Sequence, residues 1–385
     1  MTSKLWIDLP PLSPDYSGVA AALYEFGGMI VIHDASGCTG NYTGYDEPRW
    51  YDEKSMVYCS GLREMEAIMG NDDILTEKII SAAKELNPKF IAILGSPVPM
   101  LIGTDFKGIS TEIENNLNIH VMGFNTTGLS YYNTGIEMAG VELIKRFSNE
   151  NVEKTVNSVN LIGATPLDFN DLKNIQSIES FFEDTDIKIN SKLFMNSSLE
   201  DVKNLFKGDF NIPLSSGGYK ISKYLNKKYS MPFLPCIPIG TGKSFIKAYN
   251  TFISKDKSYI NKNFERREKL LILGDQLISN SIRNELYDMG FNSKICVGTM
   301  FGLEKDISFP CDLNIVSESH LREIFKSSDF KKIIADPIYK AVLSENSNVD
   351  FIEMPHLAVS GKISFGKTKN FIGTDMVDLM YRALE

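Results

Sequence analysis

Apolar residues along this chain fall into two alternating rhythms. Short β-branched runs at 28–33, 90–94, 119–124, 159–162, 269–273, 294–297 and 313–316 have the length and continuity of strands buried on both faces. Between them, apolar positions recur every three or four residues. Leu62, Met65, Ile68 and Met69 mark one helix, with Gly70 placed to end it. Leu75, Ile79, Ile80, Ala83 and Leu86 mark a second, closed by Asn87 and Pro88. The same periodicity predicts helices over 106–117, 132–147, 217–228, 243–253, 276–289 and 373–384.

Strand–helix alternation of this kind predicts an α/β protein, because parallel strands need crossovers and helices supply them. A chain of 385 residues exceeds one ordinary core. Two polar stretches, 148–155 and 261–269, divide it into three Rossmann-like domains: 1–150, 151–265 and 266–385. A ligand crevice is expected between them.

Charge and composition narrow the function. With 49 acidic against 40 basic residues the formal charge is −9, which disfavours nucleic acid as a partner. The longest apolar runs are strand-length, so no membrane span is expected. Residues 1–8 lack an apolar leader core, and no signal peptide is read there. Five scattered cysteines make no disulfide framework, which fits a reducing cytoplasm.

The segment from His33 to Tyr42, with Asp34, Ser36, Gly37 and Cys38, follows a strand directly. Ligands bind at such carboxyl ends, and Gly37 beside Cys38 permits a tight turn exposing the thiol. Cys59 precedes a helix expected near Gly61, where helix N–H groups would favour thiolate. The 21 positions between Cys38 and Cys59 match no metal-binding spacing. Residues 237–244 approach a phosphate loop, but Ile237 stands where the motif needs glycine, so a structural loop is the better reading. Cys236, Cys296 and Cys311 read as core thiols. His120 and His320 have no acid or thiol motif around them. His33 ends a strand beside Asp34, and His356 follows a short strand and precedes a glycine-punctuated loop, placing it toward a central cavity.

Several segments taken in order resemble the nitrogenase component 1 family. That family includes both subunits of the molybdenum–iron protein, their cofactor-assembly scaffolds and the catalytic subunits of dark-operative protochlorophyllide reductase. The stretch from His33 to Cys38 is similar to a family loop whose cysteine binds an iron–sulfur cluster. Residues 62–70, 89–105, 229–232, 238–240 and 271–275 resemble further landmarks, and the likeness covers nearly the whole chain.

The departures shape what the resemblance implies. Family cysteines expected near Ser17 and Gly18, near Ser96 and Pro97, and near Leu214 and Ser215 are absent. Only Cys38 carries over, with Cys59 falling close to the same interface, so dinitrogen reduction is not expected. The resemblance implies a nitrogenase-like reductase subunit served by an ATP-dependent iron protein. Cys38 and Cys59 are the metal candidates, two from each of two chains holding an interface cluster of [4Fe–4S] type. The second chain is a copy of this one or a related subunit. Crevice candidates for a second metallocofactor or a tetrapyrrole-like ligand are His356, Ser215, Gly217, Gly240, Thr241 and Gly242, with residues 126–129 as a further wall. An assembly scaffold and a cluster-free binding protein remain the alternative readings.

Overall fold

The structure, a computed structural model, describes residues 6–70, 72–254, 266–327, 330–343 and 348–385. Three parallel sheets flanked by helices organise it. The first contains β1 (Met29–Ile32), β2 (Val57–Cys59), β3 (Ile91–Leu94) and β4 (Val121–Phe124), in the order β2-β1-β3-β4. The second contains β5 (Ser158–Ala164), β6 (Lys188–Phe194) and β7 (Phe210–Pro213), ordered β6-β5-β7. The third contains β8 (Arg266–Leu273), β9 (Ser293–Thr299), β10 (Leu313–Asn314), β11 (Phe330–Ala335) and β12 (Asp350–Glu353), ordered β10-β9-β8-β11-β12. Every residue of β1, β3 and β5 is buried, as continuous apolar strands covered on both faces must be.

The alternation places the elements closely. Helices occupy Phe106–Leu117, Tyr132–Phe147, Ser216–Tyr229, Lys243–Ser254, Gln276–Asp288 and Thr374–Leu384, each within about a residue of its expected span. β2, β6, β7, β11 and β12 are additional strands. The strand expected over 313–316 stops after two residues. Cys59 is the last residue of β2, and the following helix begins only at Glu64 because Gly61, at φ +68°, turns the chain first. The helix N-terminus expected to act on that thiol is therefore not adjacent to it. Of the two polar stretches, 148–155 links the helix Tyr132–Phe147 to β5, while 261–265 of the second lies outside the described residues.

Each sheet reverses its order around its first strand, and ligand crevices of open α/β sheets form at such switch points. In the first sheet the switch lies between β1 and β3, so the loops carrying Cys38 and Ser96 share it. In the second it lies between β5 and β7, and in the third between β8 and β11. The loops at these last two meet: the Ser216 amide, after β7, donates to Asp275 Oδ2, after β8, at 2.9 Å.

Two helices fix the first sheet's position. Asp15–Leu23 is wholly buried and crosses Tyr132–Phe147 at van der Waals contact. A Cβ on Gly18 would stand 2.0 Å from the Tyr132 carbonyl oxygen, and one on Gly135 would stand 1.9 Å from the Asp15 carbonyl oxygen. Only glycine allows this approach.

Candidate functional site

Cys38 lies in the first turn of the short helix Gly37–Asn41. Asp34 organises the loop: its Oδ2 accepts from the Cys38 amide at 2.8 Å and the Thr39 amide at 3.3 Å. Its carbonyl oxygen accepts from Cys59 Sγ at 3.2 Å, and Cys59 Sγ in turn accepts from the Gly61 amide at 3.3 Å. Both thiols are half-buried and anchored to the same residue. The Tyr16 and Ser96 hydroxyls lie against the Cys38 thiol. Burial, then the Asp34 charge, pushes that thiol's pKa up. His33, whose Nδ1 is 2.8 Å from Ser60 Oγ, is pushed down to about 4 by burial and stays neutral.

Positions 17 and 96, where family cysteines were expected, hold serines, and the structure brings the first turn of the helix Asp15–Leu23 and the loop after β3 to the Cys38 end of β1. Ser17 Oγ donates to Asp46 Oδ2 at 2.6 Å and Ser96 Oγ donates to the His33 carbonyl oxygen at 2.8 Å. Within one chain, no three His, Cys, Asp or Glu side chains among the described residues converge on a metal. Two thiols per chain suit an iron–sulfur cluster chemically and are half of a four-thiolate set.

Around this end of the sheet the surface is apolar. Met65, Ile68 and Met69 project from the helix Glu64–Met69 after Cys59, and Val98, Leu101 and Ile102 from the helix Pro97–Ile102 after Ser96. The two helices touch, and Leu101 and Met69 are 77% and 71% exposed. Contiguous exposed apolar surface of this kind marks an interaction face.

A second centre lies where all three sheets converge. His356, after β12, places Nε2 3.0 Å from Asp168 Oδ1, and Asp168 follows β5. Tyr132, which opens the helix after β4, donates its hydroxyl to the same Oδ1 at 2.5 Å. The His356 amide donates to Asp336 Oδ2 at 2.7 Å, fixing the loop. The rings of Tyr132 and Phe301 stand edge-on to the imidazole. Burial disfavours the imidazolium, yet the hydrogen bond and charge of Asp168, with Asp275 and Asp336, hold the His356 pKa above its ordinary value. Burial, then the Asp168 charge, pushes Asp275 up to about 6. Asp168 Oδ2, Asn133 Oδ1, Thr165 Oγ1 and Asn170 Oδ1 are buried without a protein hydrogen-bond partner.

This centre does not fit a second metallocofactor. The Nε2 that would bind metal is engaged by Asp168, and aromatic rings occupy the space beside the imidazole. The other crevice candidates also have structural work. Ser215 Oγ donates to the Gly163 carbonyl oxygen and accepts from the Gly218 amide, capping its helix. A Cβ on Gly217 would stand 2.5 Å from an Ile136 methyl, so the glycine serves helix packing. Gly240, Thr241 and Gly242 are not at His356. The Thr241 and Ser244 amides donate to the Glu285 carboxylate at 3.1 and 2.9 Å, so a carboxylate of the chain already fills the anion seat of the phosphate-loop-like segment. Gly242 packs on the Phe181 ring.

Sequence reasoning missed Tyr132, Asp168 and Asp336 and treated Asp275 only as a landmark. A signal existed for two of them: a buried apolar strand followed within two residues by aspartate, at Leu273 to Asp275 and Ala335 to Asp336. Asp168 and Tyr132 sit inside helices, and only the tertiary fold brings them to His356.

Comparison with known proteins adds three findings. The profile of the family described as Nitrogenase component 1 type Oxidoreductase matches residues 14–255. One subunit of the light-independent protochlorophyllide reductase of Porphyra purpurea is 23% identical over 291 residues, covering 65% of this chain and 57% of that protein. The nitrogenase iron-molybdenum cofactor biosynthesis protein NifE of Clostridium pasteurianum is 20% identical over 273 residues, covering 65% and 59%. The chain thus aligns with less than two thirds of the length of these relatives. Among solved structures, nitrogenase Cp1 at pH 5 superposes with a TM-score of 0.68 at 16% identity, covering 100% of this chain and 89% of that one. No helix among the described residues is long and apolar enough to cross a membrane.

Proposed function

The chain belongs to the nitrogenase component 1 type oxidoreductases, and from that premise we propose that it is one subunit of a nitrogenase-like reductase whose electrons enter through an iron–sulfur cluster at a subunit interface. The observation that carries this reading is the pair Cys38 and Cys59, both half-buried, both anchored on Asp34 and both beside an exposed apolar face. A second chain docked on that face supplies the matching pair, and the four thiolates hold the cluster. Such a group, when bound, supplies one-electron transfer at low potential.

The residues of the chain have distinct parts in this arrangement. Asp34 orients both thiols, one through a backbone amide and one through its carbonyl. The Gly61 amide donates to Cys59 Sγ and fixes the direction of its side chain. The Tyr16 and Ser96 hydroxyls stand where a thiolate at Cys38 would accept hydrogen bonds. Neutral His33, held to Ser60, adds no charge. The electron donor would be an ATP-dependent iron protein of the nitrogenase type.

With its closed His356 centre, this chain holds no cofactor there, so the substrate of the reductase binds elsewhere on the assembly or after that centre opens. The alternative, a cofactor-assembly role, draws on the NifE relative. The anaerobic protein mixed with a nitrogenase-type iron protein, MgATP and dithionite distinguishes them. ATP-dependent bleaching of a cluster absorption band supports the reductase, whereas a band that ATP leaves unchanged overturns it.

A further inference from the structure

Two further cysteines meet in the third sheet, far along the chain from Cys38 and Cys59. Cys296 lies within β9 and Cys311 two residues ahead of β10, whose Leu313 pairs with Gly298, two residues beyond Cys296. Both side chains pack on the same apolar core, whereas the flanking Ile295 and Val297 point into the opposite one. The register sets Cys311, just ahead of the neighbouring strand, beside Cys296, and Cys311 Sγ lies 3.6 Å from the carbonyl oxygen of Ile295, the residue before Cys296. Neighbouring parallel strands stand about 4.8 Å apart, within the Cα separation a disulfide spans. Cys296 is buried and Cys311 half-exposed, so one thiol of the pair meets solvent.

We propose that Cys296 and Cys311 form a reversible modification site, a dithiol that hydrogen peroxide converts to an intrachain disulfide. The two thiols are not equivalent. Their mutual interaction holds Cys311 below its ordinary value and Cys296 above it, with burial raising Cys296 further. Cys311, the half-exposed member of the pair, is the attacking thiolate, and buried Cys296 is the resolving thiol. The Cys311 sulfur attacks one peroxide oxygen; the S–O bond forms, the O–O bond breaks, and the departing hydroxide takes a proton to become water. Cys296 loses its proton and attacks the sulfenic sulfur; the S–S bond forms, the S–O bond breaks, and the second hydroxide leaves as water with that proton. Two thiols are oxidised and one peroxide is reduced to two waters. The bond closes a ring over 296–311 that carries Phe301, the ring packed edge-on to Tyr132 and His356.

The test uses the intact chain, freshly reduced and then exposed to hydrogen peroxide. Free thiols are blocked with iodoacetamide and the digest is read by mass spectrometry. The Cys296 and Cys311 peptides should appear joined, two hydrogens lighter than their sum, and should separate with dithiothreitol. In Cys296→Ser, dimedone should trap sulfenic acid on Cys311, which the wild type should show only in trace. The double variant Cys38→Ala/Cys59→Ala should give the same linked peptide, which separates this site from the interface cluster. Alkylation of both thiols after peroxide, or equal dimedone labelling of Cys311 with and without Cys296, would overturn the proposal.

Discussion

His356 Nε2 and Asp168 Oδ1 are 3.0 Å apart and buried, although 188 positions separate them in the chain. The pair joins the carboxyl ends of the second and third sheets, and Tyr132 brings in the first. Where the fold offers a ligand crevice, this chain has built a buried polar cluster in which Asp168 Oδ1 is shared by His356 and Tyr132 while Asp168 Oδ2 has no protein partner.

That pairing has a measurable charge state. His356 should titrate above 6.5 in the wild type and fall toward or below that value in Asp168→Asn, where the hydrogen bond persists but the charge does not. Imidazole chemical shifts against pH report this directly. An unchanged midpoint in the variant would show that Asp168 does not hold the proton.

The same groups make stability fall with rising pH. Asp275 has a folded pKa of about 6, above the unfolded carboxyl value of about 3.9. Its contribution is fully present below the unfolded value and is lost as pH rises through about 6. His356, also raised, loses its contribution as pH climbs above the ordinary imidazole range. As pH rises above about 6.5, the urea midpoint should therefore fall more steeply in the wild type than in His356→Gln. Parallel profiles for the two proteins would contradict this.

Asp312 holds an interior cation. It meets Arg283 at 2.6 Å, both side chains essentially inaccessible, and also accepts from the Val297 and Phe309 amides. Asp312→Ala leaves a buried guanidinium unpaired and should cost about 3–5 kcal/mol by urea unfolding. A loss within about 0.5 kcal/mol, the range of an ordinary surface change, would contradict that reading.

The glycine crossing gives a contrast within one domain. Gly18→Ala forces a methyl into the Tyr132 carbonyl and should destabilise by about 1–3 kcal/mol or more. Gly37→Ala, with nothing within 4 Å of its Cβ, should be near neutral. Thermal midpoints of the two variants check the ranking, and equal midpoints would refute it.

Much of this was legible in the chain. The strands β1 and β3 and the Leu270–Leu273 part of β8 announced themselves as unbroken apolar runs, because a strand covered on both faces has no polar side to show. β6 (Lys188–Phe194) did not, since its outer positions are partly exposed and polar. Cys38 was legible because a strand, a tight turn and a thiol lie consecutively. The His356 centre was not, because its partners Asp168 and Tyr132 are distant in sequence and neither carries a local motif. The anion seat at Thr241 was half legible: the segment looked like a phosphate loop, but its occupant, Glu285, arrives from another helix.

The interface cluster is the central claim, and its most direct test is the iron and acid-labile sulfide content of the protein purified without oxygen. The account predicts about two of each per chain in a dimer, with both lost in Cys38→Ala and in Cys59→Ala. Undiminished iron in both variants, or a chain that stays iron-free through attempted cluster reconstitution, would contradict it.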